Sequence, residues 1–389
     1  MTGQTPNSGR IGPNSGRIRR WLRNGAASLA IATAATAGGM MAFAPVSSAD
    51  VAGAGSLIAG AGISSVYGAT ANVGLKFSDL FGVGIDALLD FRAGEEGQGL
   101  QLEISRKQQL GQTFLGSDTV LDYGVSATDE DWDFRSYRNQ NYEVKLGVGA
   151  HLTEQFSYRV GLFHQFDKLE SSDSTLSPLV LADMKESTAS GIDISLDWSN
   201  RESDSVLQPG LDLGLGYRAS GLGDSREFQA VTAGIDYYHQ VFGAAVVNFG
   251  LAGGVVTGGG DGYVAINDRA FLGGDMPRGF AYGGIGPVDA STGDSLGGTR
   301  YVSATAQVIV PTARPGLAIG AFWDGASLSD LPGIDSADVD ESGFLRQSVG
   351  ISVYYDTKMG QFSAALAAPI EKRPEDEVQN LSFSFTANF

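Results

Sequence analysis

A period of two runs through most of this chain. In "GIDISLDWS", Ile192, Ile194, Leu196 and Trp198 share one face of an extended strand, while Asp193, Ser195 and Asp197 share the other. The same alternation carries Val144, Leu146, Val148, Ala150 and Leu152, then Val231, Ala233, Ile235 and Tyr237, then Val349, Ile351, Val353 and Tyr355. The opposite faces hold Lys145, His151, Asp236, Ser348 and Gly350, which are too polar or too small for a sandwich core. An apolar face against lipid and a polar face against a watery lumen explain both sets, so the fold expected is all-β, a transmembrane antiparallel β-barrel.

Sixteen such segments can be counted, starting near Ser56, Gly68, Gly82, Gly97, Thr119, Tyr142, Phe156, Gly191, Gly210, Phe228, Ala244, Thr299, Gly316, Phe344, Gln361 and Gln379. An even count puts both ends of the barrel on the periplasmic side. Short connections are expected at "SDLFG", "TEQ", "HQVFG", "PTARPG" and "DTKMG", with longer acidic, Gly/Ser-rich ones between them. The longest connection, about 40 residues from Thr257 to Gly298, falls on the outer side; a loop of that length is uncommon unless it has a function. It contains "GGDMPRGFAYGGIGP", where Arg278 is a lone cation among glycines.

Two ends of the wall must meet. The last residues, "LSFSFTANF", place Leu381, Phe383, Phe385, Ala387 and Phe389 outward and Ser382, Ser384, Thr386 and Asn388 inward, as a closing strand would. The first strand, "GSLIAGAGISS" with Ser56 and Leu57, is glycine-rich and would pair weakly and slip easily at the seam.

Residues 1–49 read as a secretory signal. Five arginines and no acidic residue precede an apolar run from Ala26 to Ala44, and "VSSAD" supplies small residues at Ser47 and Ala49. The barrel domain then comprises residues 50–389. Without the signal, 21 basic residues stand against 44 acidic ones, which leaves no basic face for nucleic acid. Cysteine is absent, so disulfides and thiolate zinc sites are excluded. His151, His164 and His239 sit on separate strands without ligand-like spacing, and no nucleophile elbow or phosphate loop is present. No metal, cofactor or catalytic constellation is expected.

Several ordered stretches resemble the BamA superfamily of outer-membrane insertases and two-partner secretion pores. "FLGGDMPRGFAYGGIGP" and "TGDSLGGTRYVSATAQVIVP" resemble that family's loop with an Arg-Gly-Phe/Tyr tip and the strand after it. "GAFWDGASL" resembles its Phe-x-Asp strand, here Phe322 and Asp324, and "APIEKRPEDEVQNLSFSFTANF" its last loop and closing strand. "DWSNRESDSVLQPG" more distantly resembles its Asp-x-Arg turn. The resemblance implies that the long loop folds into the lumen, with Arg278 paired to Asp324, Gly279 allowing a tight turn and Phe280 as an apolar foot. Gln307 stands where the family often has a second carboxylate, and Pro277 where it has valine.

The resemblance implies a barrel in the bacterial outer membrane that assists insertion of other outer-membrane proteins, with membrane lipid, unfolded clients and periplasmic chaperones or assembly lipoproteins as partners. The family's periplasmic POTRA domains find no room between Asp50 and the first strand. A passive channel or structural barrel that keeps the fold without insertase activity is therefore the alternative.

Overall fold

The computed structural model describes residues 46–387, apart from 52–54, 65–67, 81–82, 84, 95–96, 109–118, 133–136, 172–174, 204, 224, 261, 335–338 and 358–359. Its strands are β1 (Val46–Val51), β2 (Gly55–Ser64), β3 (Gly68–Leu80), β4 (Ile85–Gly94), β5 (Gly97–Gln108), β6 (Thr119–Trp132), β7 (Tyr137–His151), β8 (Phe156–Glu170) and β9 (Glu186–Ser199). There follow β10 (Gly210–Ser220), β11 (Phe228–Gln240), β12 (Val246–Gly258), β13 (Gly279–Phe280), β14 (Arg300–Pro311), β15 (Leu317–Ser329), β16 (Arg346–Thr357), β17 (Gly360–Glu371), β18 (Val378–Gln379) and β19 (Leu381–Ala387). Among the described residues, helix is confined to α1 (Pro178–Leu181) and one 3₁₀ turn at Ile266–Asp268.

Seventeen strands form one sheet. Sixteen of them, all except β1, coincide with the alternating segments of the sequence and make the wall, pairing antiparallel with their chain neighbours, while β13 and β18 pair with each other in a separate two-stranded sheet. In sheet order β19 lies beside β2, bringing the two ends of the wall together. The seventeenth, β1, straddles the expected cleavage site after Ala49 and pairs antiparallel with β2, from Val51↔Gly55 to Val46↔Ala59.

Burial is inverted relative to a soluble protein. Val144, Leu162, Phe249, Ile319, Ile351 and Leu366 are exposed on the outer face, whereas Glu143, Arg159, Asp193, Arg218, Asn248 and Asp324 are buried inside. The interior charges are paired along the wall. Arg159 bridges Asp122 at 2.7 Å and also meets Asp193, and Arg218 reaches Glu143 at 2.7 Å while stacking over Phe163. Such alternation fits a barrel in lipid, because lipid solvates the apolar face and the lumen receives the charges.

One connection departs from the expected alternation of short and long: between β9 and β10 the periplasmic side carries residues 200–209. This length has a packing reason. Val206 and Leu207 turn inward against Ile309, Ala318, Tyr354 and Tyr238, so an apolar loop is buried there rather than a short turn exposed.

Candidate functional site

The long outer connection, residues 259–299, is folded rather than structureless. Its backbone groups are satisfied by a set of short pairings: Ala270 with Gly298, Leu272 with Ile285, Gly273 with Met276 and Val288 with Ser295. A buried segment requires such partners, since an unpaired amide or carbonyl costs as much as a lost hydrogen bond. The loop carries its own apolar residues into the lumen. Phe280, Val264, Ala270, Leu272 and Ile285 cluster with Phe163 of β8, Ala189 of β9, Phe228 and Ala230 of β11, Val256 of β12, and Ala326 and Leu328 of β15. Wall residues from five strands enclosing Phe280, which has no exposed surface, place the loop inside the barrel.

Arg278 is the polar counterpart of that apolar foot. Its Nε donates to Asp324 Oδ2 at 2.7 Å and its Nη2 to Asp324 Oδ1 at 2.8 Å, a bidentate fork, and its backbone N–H adds a third bond to Oδ2 at 3.1 Å. The side chain of Asp324 is 0% exposed and that of Arg278 13%. Thr305 Oγ1 donates to Asp324 Oδ1 at 2.7 Å and accepts from Arg278 Nη2 at 3.3 Å. The guanidinium carbon lies 3.4 Å from the centre of the Phe322 ring, so the cation is stacked as well as paired.

Sheet register explains why these groups meet. Thr305, Asp324 and Ser348 form one inward row across β14, β15 and β16, and Gln307, Phe322 and Gly350 form the next row. Gly350 makes room for the ring, because a Cβ there would lie 2.4 Å from Phe322 Cζ. Gly279 turns the chain behind the arginine at φ +96°, and a Cβ on it would come within 3.2 Å of Ala367 Cβ and 3.3 Å of Ser348 Cβ. That position has both a left-handed backbone and close contact with the wall.

Gln307 lies one step away from the cation. It accepts from Tyr354 Oη at 2.8 Å and donates to Asn248 at 3.0 Å, and Tyr354 Oη in turn accepts from Arg278 Nη1 at 3.4 Å. The amide therefore supports the anchor through Tyr354. The motifs did not point to Tyr354, Thr305, Ser348 or Asn248. The inward parity of "SATAQ" and "SVGISVYY" marks the first three as lumen-facing, but parity alone does not give their height in the barrel.

Two loop carboxylates are perturbed. Burial pushes Asp275 up to about 7, opposed by the nearby Arg278 charge, and burial raises Asp268 to about 6, opposed chiefly by Arg226. Asp268 belongs to a second cluster, where Arg226 bridges it at 3.4 Å and also meets Asp167 of β8. In the same region Asp183 accepts from Tyr263 Oη at 2.7 Å and from the Ile266 backbone N–H at 2.9 Å.

The seam residues are placed by backbone. Ser56 and Leu57 sit in β2 opposite Lys76 and Leu75 of β3, while Phe383 and Phe385 sit in β19 opposite Ala364 and Phe362 of β17. Leu381 is exposed and Ser382 buried, as outward and inward positions require. Phe389 lies outside the described residues. Among the histidines, His164 hydrogen-bonds Ser190 and His239 stacks on Tyr237.

The Omp85 superfamily domain matches residues 79–389, most of the chain. This chain belongs to the Omp85 superfamily. It is 24% identical over 350 residues to the outer membrane protein assembly factor BamA of Neorickettsia risticii, spanning 86% of this chain and 45% of that protein. It is also 24% identical over 337 residues to BamA of Nitratidesulfovibrio vulgaris, spanning 85% of this chain and 41% of that protein. The chain thus spans less than half the length of these curated relatives.

Among solved structures, BamA from Haemophilus ducreyi lacking POTRA domains 1-3 superposes with a TM-score of 0.71 at 20% identity, covering 93% of this chain and 78% of that one. CdiB from Acinetobacter baumannii gives a TM-score of 0.51 at 12% identity, covering 83% and 57%. These likenesses establish the fold. Within an Omp85 barrel, the Arg278–Asp324 pair is a charged contact between the long loop and the wall, beside the apolar cluster around Phe280.

Proposed function

We propose that this Omp85 barrel resides in the bacterial outer membrane, after removal of a signal at residues 1–49, and assists the insertion of other β-barrel chains. The observation that carries the proposal is the loop held in the lumen by Arg278 and Asp324. A solute pore needs an open path lined by selective groups, whereas here an ordered loop with its own apolar cluster occupies the interior. The work of the barrel then falls on its wall, where a glycine-rich first strand beside a seven-residue closing strand offers a place for an incoming strand to pair.

In this reading the protein acts by templating backbone hydrogen bonds and by perturbing lipid, without a covalent step. Its partners are outer-membrane lipid, unfolded outer-membrane clients, and the periplasmic chaperones or assembly lipoproteins that deliver them. The similarity to two BamA assembly factors supports this reading.

Reconstitution of residues 50–389 in liposomes tests it. Faster folding of an added small barrel client, relative to empty liposomes, is the expected result. Unchanged client folding with a steady open conductance would replace the proposal with a passive channel.

A further inference from the structure

The tip of the long loop is strand-paired to the segment that leads into the closing strand. In β13 and β18, Gly279 faces Gln379 and Phe280 faces Val378 in antiparallel register. The pairing extends beyond both strands. Ala281 N–H donates to Glu377 O at 3.0 Å, and Glu377 N–H donates to Gly284 O at 2.9 Å. Gly284 lies so close to this segment that a Cβ on it would meet the Glu377 backbone oxygen at 3.0 Å.

Two residues later β19 begins. Asn380 is bonded on both sides to Ala367 of β17, its carbonyl accepting at 2.8 Å and its side-chain amide donating at 2.8 Å. The preceding turn has its own lock, in which Arg346 of β16 grips Asp376 through Nε at 3.1 Å and Nη2 at 2.9 Å, both side chains almost wholly buried. Residues 376–380 are therefore held from one side by Arg346 and from the other by the loop tip, which Asp324 holds in turn.

The position of this clamp matters because β19 closes the wall beside β2, whose other edge β3 takes along its length. The clamp acts at the outer end of β19, where the chain enters it from the loop side.

We infer that the loop tip is a clamp on the closing strand: the Arg278–Asp324 pair fixes the outer end of β19 through β13 and β18, so releasing the pair opens the seam at its outer end. This rests on the barrel geometry and goes beyond the assembly reading. The seam is measured with no client present, so failure here leaves that reading to its own test.

The chain has no cysteine, so spin labels at Ile63→Cys and Leu381→Cys report the separation of the outer ends of β2 and β19 without background labelling. A single short distance is expected in the otherwise unaltered full chain. Asp324→Asn should lengthen and broaden the distribution by a strand spacing or more, about 5 Å. Gly284→Val, which forces a side chain onto Glu377 but leaves the Arg278–Asp324 pair in place, should do the same.

Arg201→Ala, at the periplasmic side, should leave the distance unchanged. An unchanged distance in both Asp324→Asn and Gly284→Val, with heat-modifiable gel mobility confirming that they fold, would overturn the clamp. Should those variants not fold, amide exchange of the unsubstituted chain decides. A common opening rate at Ala281, Glu377 and β19 supports the coupling, and independent rates refute it.

Discussion

Asp324 and Ser348 face each other in register on β15 and β16, and together they hold Arg278 at both of its ends. The Asp324 carboxylate takes the guanidinium and the backbone N–H, while Ser348 Oγ donates to the Arg278 carbonyl at 2.5 Å. A surface arginine would need neither. Side chain and main chain are both fixed, so the pair acts as a point of attachment for the whole loop.

Asp324→Asn keeps the shape but removes the charge, and Asp324→Ala removes both. Either leaves a cation stacked over Phe322 without its counter-ion, a loss of about 3–5 kcal/mol for breaking one side of a buried pair. Limited proteolysis of intact cells or proteoliposomes should show the loop newly cleaved. Thr305→Val, which removes one hydrogen bond to each partner, should cost only about 1 kcal/mol and leave the loop protected. Equal protection in wild type and Asp324→Ala would show that the apolar foot alone holds the loop.

Gly279→Ala should be costly out of proportion to one methyl group. The residue has φ +96°, and its new Cβ would press on Ala367 and Ser348. Backbone strain of this kind amounts to about 1–3 kcal/mol. A lowered temperature for loss of heat-modifiable gel mobility is the expected readout, and an unchanged one would mean that the wall yields.

Acid should tighten the loop. Burial holds Asp275 up to about 7 in the folded loop, against an ordinary value near 4 when the loop is released. A carboxyl raised on folding binds its proton more tightly in the folded form, so its contribution is most favourable below about pH 4 and is lost as pH rises through about 7. Asp268, raised to about 6, acts in the same direction over the lower part of that window. Loop amides should therefore exchange faster, after correction for intrinsic rates, at pH 8 than at pH 5, and Asp275→Asn should remove part of the difference. Slower corrected exchange at pH 8 would reverse the sign and refute this assignment.

The periplasmic connection 200–209 should limit conductance from below. Arg201 ties it together through Ser205 O at 2.6 Å, Gln208 O at 3.1 Å and Asp212 at 2.7 Å, and Ser205 Oγ reaches Asp356 of β16 at 2.6 Å. Arg201→Ala frees this loop without touching the Arg278 anchor. Larger or more frequent openings in planar bilayers, with the outer loop still protease-resistant, are expected; closed traces would show that the outer loop alone blocks the lumen.

The wall was legible in the sequence because each strand repeats the same choice, apolar outward and polar inward, and β9 shows it from Ile192 and Asp193 onward. The anchor was legible from its motifs. What escaped depends on long-range register or on pairings too short to have a period. Tyr354 enters the site by reaching up to Gln307, and β13 and β18 are two residues each. The inward fold of residues 200–209 had one signal, the adjacent Val206 and Leu207 in an otherwise polar turn, but an apolar pair in a turn does not say which way it faces. β1 had none, since its residues read as the end of a signal.

The most direct test of the account is single-channel conductance of the reconstituted barrel before and after breaking the anchor. A mostly closed wild-type barrel that opens in Arg278→Ala is the result expected of a loop held in the lumen by Arg278 and Asp324. A steady open conductance in the wild type, unchanged by Arg278→Ala, would contradict it.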